Sequence, residues 1–208
     1  RRLWVTSATT SADLVDAFEG LPKLREWVDE QLVALQVDYG VDAAEDRPEN
    51  LRLSPYSVLA FTTEALAGPL DDLGVPVACV GPAFVDGPAA GTEDGSFPWD
   101  FFDGRPTVLV SLGTVNVGAG ERFFTAAAAA FEERPHLQGV FVCPPELLPN
   151  RPDNVLALSR IPQIDVLRRC SAVVSHGGHN TVCETLAHRL PLVLAPIRDD
   201  QPIVAGQV

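Results

Sequence analysis

Residues 175 to 181 read Ser175-His176-Gly177-Gly178-His179-Asn180-Thr181, with an apolar run ahead of them. Two glycines directly after a strand let backbone approach a ligand closely. A helix that follows points its unpaired N–H groups and its positive dipole end at the same spot. That geometry binds phosphate without a basic patch. His176 at the strand end can donate to a phosphate oxygen, and Asn180 and Thr181 add side-chain donors. A second reading uses the same residues: Gly177-Gly178 only makes a tight turn, and Thr181-Val182-Cys183-Glu184 is a capping box, Thr-x-x-Glu. The local pattern leaves both open.

A metal is the third chemistry to weigh, because His176, His179, Cys183 and His188 cluster in sequence. Spacing argues against it. His176 precedes the glycines and so lies off the helix, and the helical pair His179 and Cys183 leaves a four-coordinate site short of ligands. No metal site is expected.

The elements that must position these residues form an alternating series. Strands are expected over 107–112, 139–142, 154–158, 172–174 and 192–195. Helices are expected over about 120–133, ended by Pro135, and near 163–169 and 181–189. Short, nearly all-apolar strands separated by helices mean a parallel sheet covered on both faces, a doubly wound α/β domain. Such sheets bind ligands outside the carboxyl ends of their strands. The loops to inspect therefore hold Gly113-Thr114, residues 159–163, 175–180 and 196–201.

The first half is different in kind. Leu14, Phe18, Leu21, Leu24, Trp27, Val28, Leu32 and Leu35 recur at helical spacing, interrupted by Gly20-Leu21-Pro22, and predict helix, turn, helix. Short strands are expected at 51–53, 57–61 and 75–80, the last closed by Gly81-Pro82. No His occurs before His136, and the carboxylates read as a solvated face.

The 208 residues carry a formal charge of −13, which argues against a nucleic-acid partner, since phosphate backbones need clustered Lys and Arg. All of it sits in the first half. Residues 1–104 hold 19 Asp+Glu against 6 Lys+Arg, whereas residues 105–208 hold nine of each. Two differently charged halves predict two domains, with a Gly-, Pro- and Asp-rich linker over 83–104 between parts at 1–82 and 105–208. Fourteen Arg against one Lys suggest a GC-rich bacterial genome. Four isolated Cys with no C-x-x-C pair suggest a reducing cytosol, and no 18-residue apolar run suggests a membrane span. The absence of Met from a chain that opens Arg1-Arg2-Leu3-Trp4 predicts a piece of a longer protein.

Taken in order, Arg160-Ile161-Pro162-Gln163, then His176-Gly177-Gly178-His179-Asn180-Thr181, Glu184, the run Leu190-Pro191-Leu192-Val193-Leu194-Ala195-Pro196, and Asp200-Gln201 resemble the donor-binding signature of family 1 glycosyltransferases of the GT-B fold. Val110-Ser111-Leu112-Gly113-Thr114 and Val80-Gly81-Pro82 also resemble that family, particularly its bacterial macrolide and natural-product members. The resemblance is strong over 105–201 and one of layout over 1–104.

The resemblance implies two Rossmann-like domains, the first only partly present, and a donor site in the second. Arg160, Ile161 and Gln163 would border the base and ribose, and Glu184 would accept from ribose hydroxyls. Gly113, Thr114, His176, Gly177, Gly178, Asn180 and Thr181 would surround the diphosphate. Asp200 and Gln201 would hold the sugar hydroxyls. Two positions depart from the plant pattern: Arg160 and His179 each stand where plant members have Trp. Arg160 thus leaves a guanidinium or another residue to stack on the base.

The implied chemistry is inverting, metal-independent transfer of a hexose from a UDP- or TDP-sugar co-substrate to a hydroxyl of a small, largely apolar acceptor. His176 would stabilise the leaving diphosphate. The family's general base, a His early in its first domain, has no counterpart before His136. Implied too are a cytoplasmic enzyme of antibiotic biosynthesis with no resident cofactor and no membrane or nucleic-acid partner, and a possible homodimer. Competing readings are a nucleotide-sugar 2-epimerase, which needs cleft carboxylates as acid and base, and a glycosyltransferase-like auxiliary protein without catalysis.

Overall fold

The structure is a computed structural model and describes residues 4–6, 22–40, 57–68, 70, 76–83, 97–113, 120–198 and 200–208. The chain forms two compact units, residues 1–83 with 207–208 and residues 84–206.

In the first unit, β1 (Trp4–Thr6), β2 (Val58–Ala60) and β3 (Val77–Cys79) form a parallel sheet in the order β1-β2-β3. β2 is central and carries the buried Val58 and Ala60. A helix, α1 (Pro22–Asp38), begins at the proline that interrupts the apolar periodicity, since proline suits a helix start. A short helix, α2 (Glu64–Ala67), is capped by Thr63, whose side chain accepts from the Leu66 amide. The strand β1 lies in a stretch that polarity alone did not mark as a strand. The expected strand at 51–53 and the first expected helix, around Leu14 and Phe18, lie outside the described residues.

The second unit holds β4 (Thr107–Ser111), α3 (Glu121–Glu132), β5 (Gln138–Val142), β6 (Val155–Leu158), α4 (Gln163–Leu167), β7 (Ala172–Ser175), α5 (His179–Ala187), β8 (Leu192–Leu194) and α6 (Gln201–Gln207). Its five strands are all parallel, in the order β6-β5-β4-β7-β8. The chain winds outward one way from β4 through β5 to β6, then returns to β7 on the other side of β4. The direction of winding therefore reverses between β4 and β7.

Alternation along the central strands sends successive residues to opposite faces. Val110 and Phe141 are register partners and join Phe124, Ala128 and Phe131 of α3 in one core. Leu109, Val140 and Val173 are also register partners and join Val166 and Leu167 of α4 in a second core. The apolar strands are thus buried on both faces, which is why they read as continuous apolar runs.

Residues 97–102, expected as linker, feed Phe97, Trp99, Phe101 and Phe102 into the second core. Arg169 covers this cluster with its guanidinium 4.5 Å from the Trp99 ring. Gln138, buried at the start of β5, accepts from the Asp103 amide and donates to the Phe101 carbonyl. An amide side chain buried in this way must be satisfied at both ends, and here it ties the aromatic segment to the sheet.

Candidate functional site

Ser111 and Ser175 end β4 and β7 as register partners, at the point where the winding reverses. Each hydroxyl accepts the amide of the glycine two residues on: Gly113 to Ser111 at 3.3 Å and Gly177 to Ser175 at 3.2 Å. Both glycines have positive φ, 71° and 94°, a conformation that costs glycine little and other residues more. Two matching Ser-x-Gly turns therefore end the two central strands. Both glycines are among the expected site residues, whereas the two serines appear in the motifs without a role. The signal passed over is Ser-x-Gly directly after each apolar strand.

His176 sits within the second turn. Its amide donates to the Ser111 carbonyl at 3.3 Å, and its imidazole lies between the two glycine loops. A Cβ on Gly113 would stand 2.8 Å from its Cε1, and a Cβ on Gly178 would stand 2.8 Å from both Cε1 and Nε2. Burial pushes the His176 pKa below its ordinary value, opposed by a backbone contact with Ser111 and by the Asp200 carboxylate. Burial thus favours the neutral ring.

Gly178 is the N-cap of α5 and offers no side chain to its first amides. The helix starts at His179, two residues before the expected Thr181. Thr181 is consequently inside the first turn and Glu184 is one turn further on, so the capping-box reading fails. A helix start of this kind directs its first-turn amides toward the strand-end loops, the geometry that suits an anion. His179 and Cys183 meet one turn apart, Nε2 to Sγ 3.4 Å.

A second cluster lies along the other side of α5. Gln163, at the start of α4, donates from Nε2 to Glu184 Oε2 at 2.5 Å and to Thr181 Oγ1 at 3.4 Å. Burial pushes the Glu184 carboxyl above its ordinary value, and the Gln163 hydrogen bond partly offsets this. A carboxylate held half-buried beside an amide is suited to accept hydroxyl hydrogens. Ile161 belongs to the core, packed with Leu109 and Val166, so its backbone rather than its side chain is what can face a ligand. Arg160 and Asn180 are exposed. Thr114 lies outside the described residues.

Gln201 closes the site from the start of α6. Its Oε1 accepts from the amides of Ile197 at 2.8 Å and Arg198 at 3.0 Å, which folds the loop after β8 back on itself. Its Nε2 has no acceptor among the described residues. A Cβ on Gly177 would stand 3.3 Å from the Gln201 carbonyl oxygen, so the two loops touch. Asp200 caps α6 through its carbonyl, which accepts from Ile203 and Val204. The structure therefore brings Gly113, His176, Gly177, Gly178, Asp200 and Gln201 into one group, and Gln163, Thr181 and Glu184 into another, with α5 shared between them.

The comparisons with known proteins converge on one class. The chain is 30% identical to an uncharacterized UDP-glucosyltransferase, YojK, of Bacillus subtilis (strain 168), over 72% of this chain and 36% of that protein. It is 41% identical to the demethyllactenocin mycarosyltransferase of Streptomyces fradiae, over 45% of this chain and 21% of that protein. The chain thus spans about a third or less of these relatives. Among solved structures, CalG4, the calicheamicin glycosyltransferase, superposes with a TM-score of 0.61 at 26% identity, over 98% of this chain and 52% of the other. The fold class is accordingly α/β with parallel sheets, as in GT-B glycosyltransferases. Residues 99–208 match the family described as UDP-glucoronosyl and UDP-glucosyl transferase, and the chain belongs to that family, the family 1 glycosyltransferases.

Proposed function

We propose that this chain is the donor-binding portion of a glycosyltransferase that moves a hexose from a nucleoside-diphosphate sugar, with uracil or thymine as base, to a hydroxyl of a small, largely apolar natural product. The observation that carries this reading is the His176 imidazole held between Gly113 and Gly178, beside the uncapped start of α5. An imidazole N–H and the amides at the start of α5 together suit a diphosphate, and residues 105–208 carry no net charge. Glu184 and Gln163 then take the ribose, Asp200 and the Gln201 amide take the sugar hydroxyls, and Arg160 lies where the base would stack.

In such a transfer the acceptor oxygen attacks the anomeric carbon as the diphosphate leaves. Negative charge grows on the leaving group, and donors already in place stabilise it at no cost of reorganisation. Losing one such donor costs about 3 kcal/mol, or 100- to 1,000-fold in rate. The base that deprotonates the acceptor is assigned to the acceptor-binding domain, as a His oriented by a carboxylate. The relatives' activities favour this reading over an epimerase or a non-catalytic auxiliary protein. Among the described residues no helix is long and apolar enough to cross a membrane; a cytoplasmic location is part of the proposal and rests on the four Cys without a C-x-x-C pair. A homodimer is compatible with the reading and is not required by it.

Calorimetry with UDP and TDP tests it. The chain should bind at least one of them, and His176→Ala should weaken that binding. An absence of heat with both nucleotides would overturn the donor-site assignment.

A further inference from the structure

Ser175 has a contact that the strand-end turn does not require. Its hydroxyl accepts the Gly177 amide at 3.2 Å, and the same oxygen lies 3.4 Å from Nδ1 of His176. The side chain is fully buried. A serine hydroxyl has one hydrogen to give, and the Gly177 amide, being a donor, cannot receive it. A fully buried hydroxyl needs an acceptor. Among the described residues the acceptor within reach is Nδ1.

We propose that Ser175 is a positioning residue whose hydroxyl donates to Nδ1 of His176, so that the neutral imidazole is held as the Nε2–H tautomer with that N–H at the slot between Gly113 and Gly178. The two ring nitrogens are not equivalent there. Nε2 lies 2.9 Å from a Cβ built on Gly113 and 2.8 Å from one built on Gly178, so it is the nitrogen at the start of α5. With the proton on Nε2 the ring adds a donor to the helix amides. With the proton on Nδ1 it would turn a lone pair on the same spot and repel a phosphate oxygen. One hydroxyl thereby decides whether the histidine attracts or repels the anion. Among the described residues the Ser111 hydroxyl meets no ring nitrogen and only holds its turn, while the Ser111 backbone also bonds to the His176 ring, so the two hydroxyls differ in role.

The inference rests on the diphosphate reading for its purpose, but its test does not need a nucleotide. Nitrogen-15 spectra of histidine-labelled chain, with His176→Ala to assign the signals, report which ring nitrogen bears the proton above the His176 titration. The Nε2–H tautomer is expected, and a His176 found as Nδ1–H overturns the proposal. Ser175→Ala should give mixed tautomers and bind UDP or TDP about 10-fold more weakly, whereas Ser175→Thr, which keeps the hydroxyl, should restore both. A Ser175→Ala chain whose tautomer is unchanged would reduce the hydroxyl to a turn-former and also overturn it. Should Ser175→Ala not fold, the parent spectrum and Ser175→Thr still decide. A parent with the Nε2–H tautomer and no affinity for either nucleotide would sink the donor-site reading and leave the tautomer assignment standing.

Discussion

The imidazole of His176 occupies the space that a side chain on Gly113 would fill, its Cε1 only 2.8 Å from where the Cβ would be. Two loops from neighbouring strands therefore fit together only because one residue is a glycine and the other a flat ring.

Gly113→Ala should both strain the backbone, at φ 71°, and displace the ring. Gly104 supplies the control, since its φ is 96° and nothing lies within 4 Å of its Cβ position. Gly104→Ala should cost about 1 kcal/mol of stability from backbone strain alone. Gly113→Ala should cost about 1 to 3 kcal/mol more, the usual range for a steric clash, and weaken nucleotide binding as well. Urea titrations of both variants measure the difference. Equal costs would mean that the ring moves aside freely.

Glu184 carries a conflict between stability and use. Its folded-state pKa is raised, so the folded protein holds the proton more tightly than the unfolded chain, and stability falls as pH rises from the ordinary carboxylate range through the raised value. Glu184→Gln removes the buried charge and keeps an oxygen for Gln163. It should be at least as stable as the parent at pH 7, with the difference closing near pH 4, yet bind nucleotide about 10- to 100-fold more weakly. A variant clearly less stable than the parent at pH 7 would contradict the desolvation argument.

His176 has the opposite linkage. Its folded pKa is depressed, so the unfolded chain takes up a proton first as the solution is acidified. Stability is whole above the ordinary imidazole value of about 6.5 and is lost as pH falls from there toward the folded value. His176→Gln, which does not titrate, should lose less stability than the parent between pH 7 and pH 5.5. One proton limits that slope to about 1.4 kcal/mol per pH unit. Parallel pH profiles for the two proteins would show that burial of the ring is not felt.

Gln201 has two roles that substitutions can separate. Gln201→Leu removes the oxygen that takes the Ile197 and Arg198 amides, and should cost about 1 to 3 kcal/mol while loosening residues 197–200. Gln201→Glu keeps acceptors for both amides and loses only the Nε2 donor. It should hold the loop while lowering affinity for the nucleotide sugar and sparing that for the nucleotide diphosphate. Equal losses for both ligands would move Gln201 out of the sugar site.

Periodicity and composition were enough to locate the five strands of the second unit and its main helices, because apolar runs buried on both faces and helices ended by proline or glycine leave local marks. The linked motifs at Gln163, His176–Thr181, Glu184 and Asp200-Gln201 stood out for the same reason: turns at strand ends depend on glycines and polar side chains at set distances from the strands. What local pattern could not decide was where α5 begins. Thr181 and Glu184 have capping-box spacing, but Gly178 starts the helix because the Gly177 turn, held by Ser175, has already set the chain direction. Nor could spacing show that Gly113 and Gly178, 65 positions apart, confront the same ring, or that the Gln201 oxygen is committed to its own loop. These relations follow from parallel pairing of β4 with β7, which brings Ser111 beside Ser175. Residue type and spacing determined what the chain could bind; the register of two strands distant in sequence decided which groups face one another.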